Sequence, residues 1–172
     1  MVIVIADKDG KALRELSDYT LEVAYGEDEN TITITADADV MPPNGGYAYI
    51  DGTEYGGTID KIKSGTANNT LSGLGRSWHG VLAGKRIVPA SGQSHVVVSG
   101  QVATVLQQIV DMVGLDDLFE APSTESDSVA ISGYQFERFI DAYSGLRALC
   151  LAYGLKLTMR FSSNKVLLGA KA

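Results

Sequence analysis

Leu21-Glu22-Val23-Ala24-Tyr25 and Thr31-Ile32-Thr33-Ile34-Thr35 each alternate apolar and polar side chains. That period of two marks a strand with one face on a core and the other in solvent. Gly26 to Asn30 between them is short and polar, so the pair reads as a hairpin. Upstream, the apolar run Val2 to Ala6 ends in Asp7-Lys8-Asp9-Gly10, whose turn chemistry predicts another hairpin. Downstream, Tyr47-Ala48-Tyr49-Ile50 meets Asp51-Gly52. Thr53 to Lys63 then predicts a longer strand, with a bulge or bend at Gly56-Gly57. After an Asn68-Asn69 turn, Thr70 to Gly75 is a further strand. Strands this short, with turns this frequent, predict a small barrel or a strongly coiled sheet.

Beyond Gly100 the periodicity changes. Val102, Val105, Leu106, Ile109, Val110 and Val113 fall on one helical face, with Ser99 placed to cap the start and Gly114 to end the helix. A second helix is predicted over 137–153, burying Phe139, Ile140, Tyr143, Leu146, Leu149, Cys150 and Tyr153. Glu120 to Ser128, rich in Ser, Thr, Glu and Pro, reads as an exposed loop. Leu155 to Phe161 and Lys165 to Leu168 read as a hairpin turned at Ser162-Ser163-Asn164. The predicted class is α+β. A β-barrel-like domain over 1–98 precedes an αβ domain over 99–172, with two helices and a C-terminal hairpin.

The 172 residues hold 21 acidic and 14 basic side chains, a net charge of −7. That sign repels phosphate backbones and argues against a nucleic-acid partner. The short acidic cluster Glu27-Asp28-Glu29 suits a solvated turn. No apolar run approaches the length of a membrane span, and the N-terminus lacks a signal-peptide pattern, so synthesis in the cytoplasm is expected. One cysteine, Cys150, allows no internal disulfide.

Motifs for chemistry are weak. Ser77 and His79 lie side by side at Gly75-Arg76-Ser77-Trp78-His79-Gly80, but outside a nucleophile elbow and without an assignable acidic orienter. Gly75 to Gly80 has phosphate-loop spacing with Val81 and Leu82 where Lys and Ser/Thr belong, and Gly80 to Lys85 is one residue short. Asp7-x-Asp9-Gly10 lacks the later ligands of a calcium loop, and His79, His95 and Cys150 make a poor metal set. No enzyme activity, cofactor or metal is expected.

One series is more informative. Asp51-Gly52-Thr53-Glu54-Tyr55-Gly56-Gly57-Thr58-Ile59-Asp60-Lys61-Ile62 precedes Thr70-Leu71-Ser72-Gly73-Leu74-Gly75-Arg76-Ser77-Trp78-His79-Gly80-Val81-Leu82-Ala83, and Arg86-Ile87-Val88-Pro89 follows. It resembles the core of the tail baseplate hub proteins of long-tailed phages and prophages. In them an acidic-turn hairpin leads to a Gly-Arg-[Asp/Ser] segment ending in an aliphatic-Leu pair, then to Arg, two aliphatics and a Pro. Gly75-Arg76-Ser77, Val81-Leu82 and Arg86-Ile87-Val88 match, and Pro89 stands one place early. The first hairpin and the helix at Val102 also resemble that family.

The resemblance implies a virion structural protein at the tail tip, without enzyme activity, that assembles as a homotrimer and contacts other tail proteins. Such proteins usually run longer than this chain, which implies a fragment or a shortened member. The motif residues then have structural roles. Gly75 lets a strand turn sharply, Arg76 pairs with an acid of a neighbouring strand, and Trp78 plugs a barrel end. Leu82, Arg86 and Pro89 complete the series. The alternative reading is a small β-barrel binding module that grips carbohydrate or peptide through Tyr47, Tyr49, Tyr55 and Trp78.

Overall fold

A computed structural model describes residues 1–25, 29–40, 44–65 and 69–172. Gly26, Glu27 and Asp28 of the expected loop, Pro42 and Pro43, and Asn68 of the expected turn lie outside the described residues. The architecture is α+β, and the chain divides into two compact units. One holds Met1–Val81 with residues 161–164, and the other holds Leu82–Arg160 with Lys165–Ala172.

In the first unit, β1 (Ile3–Ala6) and β2 (Ala12–Leu16) form the expected first hairpin. The Asp7 carboxylate accepts from the backbone N–H of Asp9 and of Lys11, at 3.0 and 2.9 Å. It thereby ties the turn that Gly10 completes at φ +80°. β3 (Thr20–Tyr25) and β4 (Asn30–Asp37) form the second hairpin, with Val23 opposite Ile32 and Leu21 opposite Ile34. Matching the apolar faces fixes that register, since a one-residue slip would turn Ile32 and Ile34 to solvent.

The stretch predicted as one strand from Thr53 to Lys63 is broken. β5 (Tyr47–Tyr49) pairs with β6 (Gly56–Thr58), whereas β7 (Lys61–Gly65) pairs with β8 (Thr70–Arg76). Ile59 and Asp60 carry the chain from one sheet to the other. The result is two four-stranded antiparallel sheets, ordered β2-β1-β5-β6 and β3-β4-β8-β7. Both contribute to one core of Ile3, Ile5, Leu16, Ile34, Ala36, Ala48, Ile50 and Ile59.

The expected barrel does not close. Among the described residues, a single bridge, Gly57 to Ser77, stands between β6 and the segment after β8, where a continuous ladder would be required.

In the second unit, β9 (Val97–Gln101) pairs antiparallel with β11 (Ala130–Gln135). α2 (Val102–Met112) buries Val102, Val105, Leu106, Ile109 and Val110 as the spacing predicts. Its N-cap is Gln101 without a side-chain cap bond, and the Ser99 hydroxyl instead accepts from the Gly133 N–H in the β9–β11 ladder. Gly114 follows the helix at φ +68° as expected.

α3 (Ala142–Ala152) begins five residues later than predicted. Asp141 caps it by accepting from the Ser144 N–H at 2.9 Å, which sets the first turn there. Phe139 precedes the cap at φ +61° and is half exposed, so it leaves the predicted buried stripe. Leu146, Leu149 and Cys150 keep their places in it.

β12 (Lys156–Ser162) and β13 (Lys165–Lys171) form the C-terminal hairpin, with the short β10 (Phe119–Glu120) parallel to β13. The segment read as an exposed loop is tied down. The Arg160 guanidinium grips the Glu125 carboxylate through two bonds, and Asp127 N–H donates to the Ala170 carbonyl.

The compact units part at Val81/Leu82, not at 98/99. Residues 85–96 bond to the segment before and into α3, with Ile87 N–H on the Ile140 carbonyl and Phe136 N–H on the Val96 carbonyl. Backbone pairing, invisible in local composition, assigns them to the second unit.

Candidate functional site

The motif series begins at the end of β8, where two segments approach too closely for side chains. A Cβ on Gly75 would lie 1.6 Å from the Thr58 carbonyl oxygen, and one on Gly57 would lie 2.1 Å from that of Arg76. Neither glycine has a positive φ. Gly75 therefore serves close packing and not the sharp turn expected, and Gly56-Gly57 serves it likewise. Arg76 pairs with an acid as expected, its Nε 3.0 Å from Asp60 Oδ2. Both side chains are about half exposed, so the pair orients more than it stabilises.

Ser77 is buried and opens a short helix, α1 (Trp78–Ala83), that the sequence reading missed. Its hydroxyl accepts from the Gly80 N–H at 3.3 Å, a helix-capping bond, and its own N–H donates to the Asn30 carbonyl. The Ser before this run was the available signal. His79 lies edge-on to Tyr25, ring centroids 5.2 Å apart. Burial holds its imidazole below the usual range, against a smaller upward pull from Glu54. Ser77 and His79 are thus engaged in capping and packing.

Trp78 is wholly buried, but not as the plug of a barrel. It stacks on Phe161 at 5.4 Å between ring centroids, and Phe161 stacks on Tyr49 at 3.8 Å. Tyr47 adds a tilted contact to Trp78 at 5.9 Å. Phe161 is anchored by backbone bonds, its N–H to the Thr53 carbonyl and its carbonyl from the Gly52 N–H. Of the aromatics proposed to grip a ligand, Trp78 and Tyr49 are buried in this column, and Tyr55 is the one classed as exposed.

The remaining motif residues belong to the second unit. Leu82 is buried, Pro89 is partly buried, and Arg86 is exposed, bridging to Asp141. Cys150 is also buried there, which pushes its thiol up to about 11 and leaves it little thiolate for chemistry. Among the described residues, no three His, Cys, Asp or Glu side chains gather as a metal site, and no helix is long and apolar enough to cross a membrane.

Two surface features were not read from sequence. An open groove of about 420 Å³ in the first unit is lined by Tyr19, Leu21, Val23, Tyr25, Ile50 and Tyr55, among others. In the second unit Phe139 and Val88 are both exposed, beside Arg86 and Arg138. Neither has a local sequence signature, because each assembles from separate segments.

No protein-family profile and no curated protein matches this chain. Among solved structures, the fold is similar to the crystal structure of the tail protein from Neisseria meningitidis MC58. The TM-score is 0.62 at 14% identity, over 97% of this chain and 49% of that one. The chain thus spans about half the length of that neighbour, and what the two share is a fold.

Proposed function

We propose that this chain is a structural, non-enzymatic protein of a phage-type tail, and that it belongs to the baseplate hub. The observation that carries the reading is the fold likeness to a tail protein over 97% of the chain. The Gly75-to-Pro89 series, similar to hub proteins, supports the finer assignment. On this reading the chain works by oligomerisation, as a homotrimer when full length, and by contact with other tail proteins at the virion tail tip. Among the described residues β3 and β7 stand at the edges of their sheet, and an edge strand is where a neighbouring chain adds on.

Immunogold electron microscopy of particles from the encoding genome tests it. Antibodies against the chain are expected to label the tail tip, and label on the head, or on no particle, overturns the reading. Light scattering on the chain read to its natural stop codon tests the trimer, and a strict monomer across a concentration series removes the ring.

A further inference from the structure

Of the chain's asparagines, Asn44 is the one followed by glycine, in Asn44-Gly45-Gly46. The others precede threonine, lysine or a second asparagine, whose side chains crowd the following peptide nitrogen. Without that crowding, the Gly45 nitrogen can close a five-membered ring on the Asn44 side-chain amide, which makes Asn-Gly the dipeptide most prone to deamidation. Asp9-Gly10 and Asp51-Gly52 share the glycine, but a carboxylate repels a nucleophile that a neutral amide admits. Asn44 is exposed in the turn before β5. The turn itself demands the glycine. Gly45 lies at φ +85°, where any side chain is strained, although a Cβ there would meet nothing within 4 Å. The fold thus keeps a chemically labile pair at this position.

Two backbone bonds stand against the reaction. The Gly45 N–H donates to the Ile59 carbonyl at 2.7 Å, and the Ile59 N–H donates to the Gly46 carbonyl at 2.8 Å. They extend the β5–β6 ladder beyond its Tyr47–Thr58 pair to Ile59, which is wholly buried. While the first bond holds, the nitrogen that must attack is engaged, and ring closure requires the turn to open.

We propose that Asn44 is a site of spontaneous deamidation, gated by the Gly45–Ile59 bond. In the opened turn the Gly45 nitrogen gives up its proton and bonds to Asn44 Cγ. The Cγ–Nδ2 bond breaks, and that nitrogen takes up a proton and leaves as ammonia. One water then hydrolyses the imide. Cleavage between Cγ and the ring nitrogen gives aspartate, and cleavage between the backbone carbonyl carbon and that nitrogen gives isoaspartate. Either product adds a negative charge, and the only co-reactant is water. Isoaspartate also lengthens the main chain by one carbon, so Gly45 and Gly46 no longer both align with Ile59. The modification therefore fixes the turn in its opened form. It does not depend on the tail reading.

Ageing the whole chain at mildly alkaline pH, in native buffer and in urea, tests the site. Mass spectrometry of the peptide that holds Asn44 reads conversion of amide to acid, and an isoaspartate-specific carboxyl methyltransferase reads the lengthened product. Conversion at Asn44 should be at least about tenfold faster in urea, because two backbone bonds must open in the folded chain. Asn44→Gln, which would need a six-membered ring, should stop it in both solvents. Returned to native buffer, the isoaspartate fraction should unfold at a lower denaturant midpoint by tryptophan fluorescence, whereas Asn44→Asp, with the charge alone, should match the unaltered chain. No acid at Asn44 in urea, or conversion that persists in Asn44→Gln at the same position, overturns the site. Equal rates in the two solvents overturn the gate, and an isoaspartate fraction with an unaltered midpoint overturns the fixed opening.

Discussion

Trp78 has no exposed surface, and its indole N–H is buried with no hydrogen-bond partner among the described residues. Truncation removes its contacts with Phe161 and Tyr47, so Trp78→Ala should cost about 3–5 kcal/mol in denaturant unfolding. Trp78→Phe should cost less, because it keeps an aromatic ring and removes the orphan donor. Equal losses would show that the N–H is satisfied. His79 sets a pH limb. Burial depresses its folded pKa, whereas the unfolded chain titrates near its ordinary value of about 6.5. Above that value the imidazole is neutral in both states and the stability is fully present. As pH falls below it, the unfolded state takes the proton first, and stability declines until the folded value is passed. His79→Phe, which retains an edge contact for Tyr25, should flatten the melting temperature between neutrality and the carboxylate range. An unchanged slope would assign that limb to another group.

Elements defined by alternation or helical spacing were legible, and those defined by backbone pairing were not. Asp7 to Gly10 announced its hairpin, and Val102 to Val110 announced α2, because each pattern is local. The split of the stretch 53–63 between two sheets was hidden, since Gly57 marks a close approach to the Arg76 carbonyl, and Gly56 one to Trp78 and the Ala48 carbonyl, that no local pattern encodes. Helix α1 was missed because six residues are too few to show a period, although Ser77 was the right cap. Phe139 was misread as helical because its hydrophobicity fits the α3 stripe, while Asp141 starts that helix after it. Gly75, Ser77 and Trp78 serve close packing, capping and burial, while the Tyr25–Tyr55 groove and the exposed Phe139 had no local pattern to announce them. The C-terminal turn allows a direct test at this scale. Ser163 and Asn164 both have positive φ, at 54° and 63°, the geometry for which Asn-Gly is preferred. Replacing the pair with Asn-Gly should raise stability by about 0.5–1 kcal/mol. A lower melting temperature would mean that Ser163 or Asn164 makes a contact worth more than the turn.

At the scale of the molecule, the first unit is not continuous in sequence: residues 161–164 belong to it with Met1–Val81. Phe161 lies between Tyr49 and Trp78, and its backbone bonds to Gly52 and Thr53. Phe161→Ala should therefore destabilise the N-terminal unit by about 3–5 kcal/mol, although the substitution is remote in sequence. The single tryptophan reports on that same column, so denaturation followed by its fluorescence reads the effect directly. A fluorescence midpoint equal to that of the unaltered chain would detach Phe161 from this core. Contacts of such sequence separation slow folding, because the intervening chain must be closed before they form. On the ribosome the consequence is one of timing. The segment bearing Tyr49 and Trp78 emerges early, and one face of that tryptophan stays without its ring partner until Phe161 has been synthesised and released from the exit tunnel. Translation speed across the second half of the message thus sets how long the nascent N-terminal unit remains unfinished and open to chaperones.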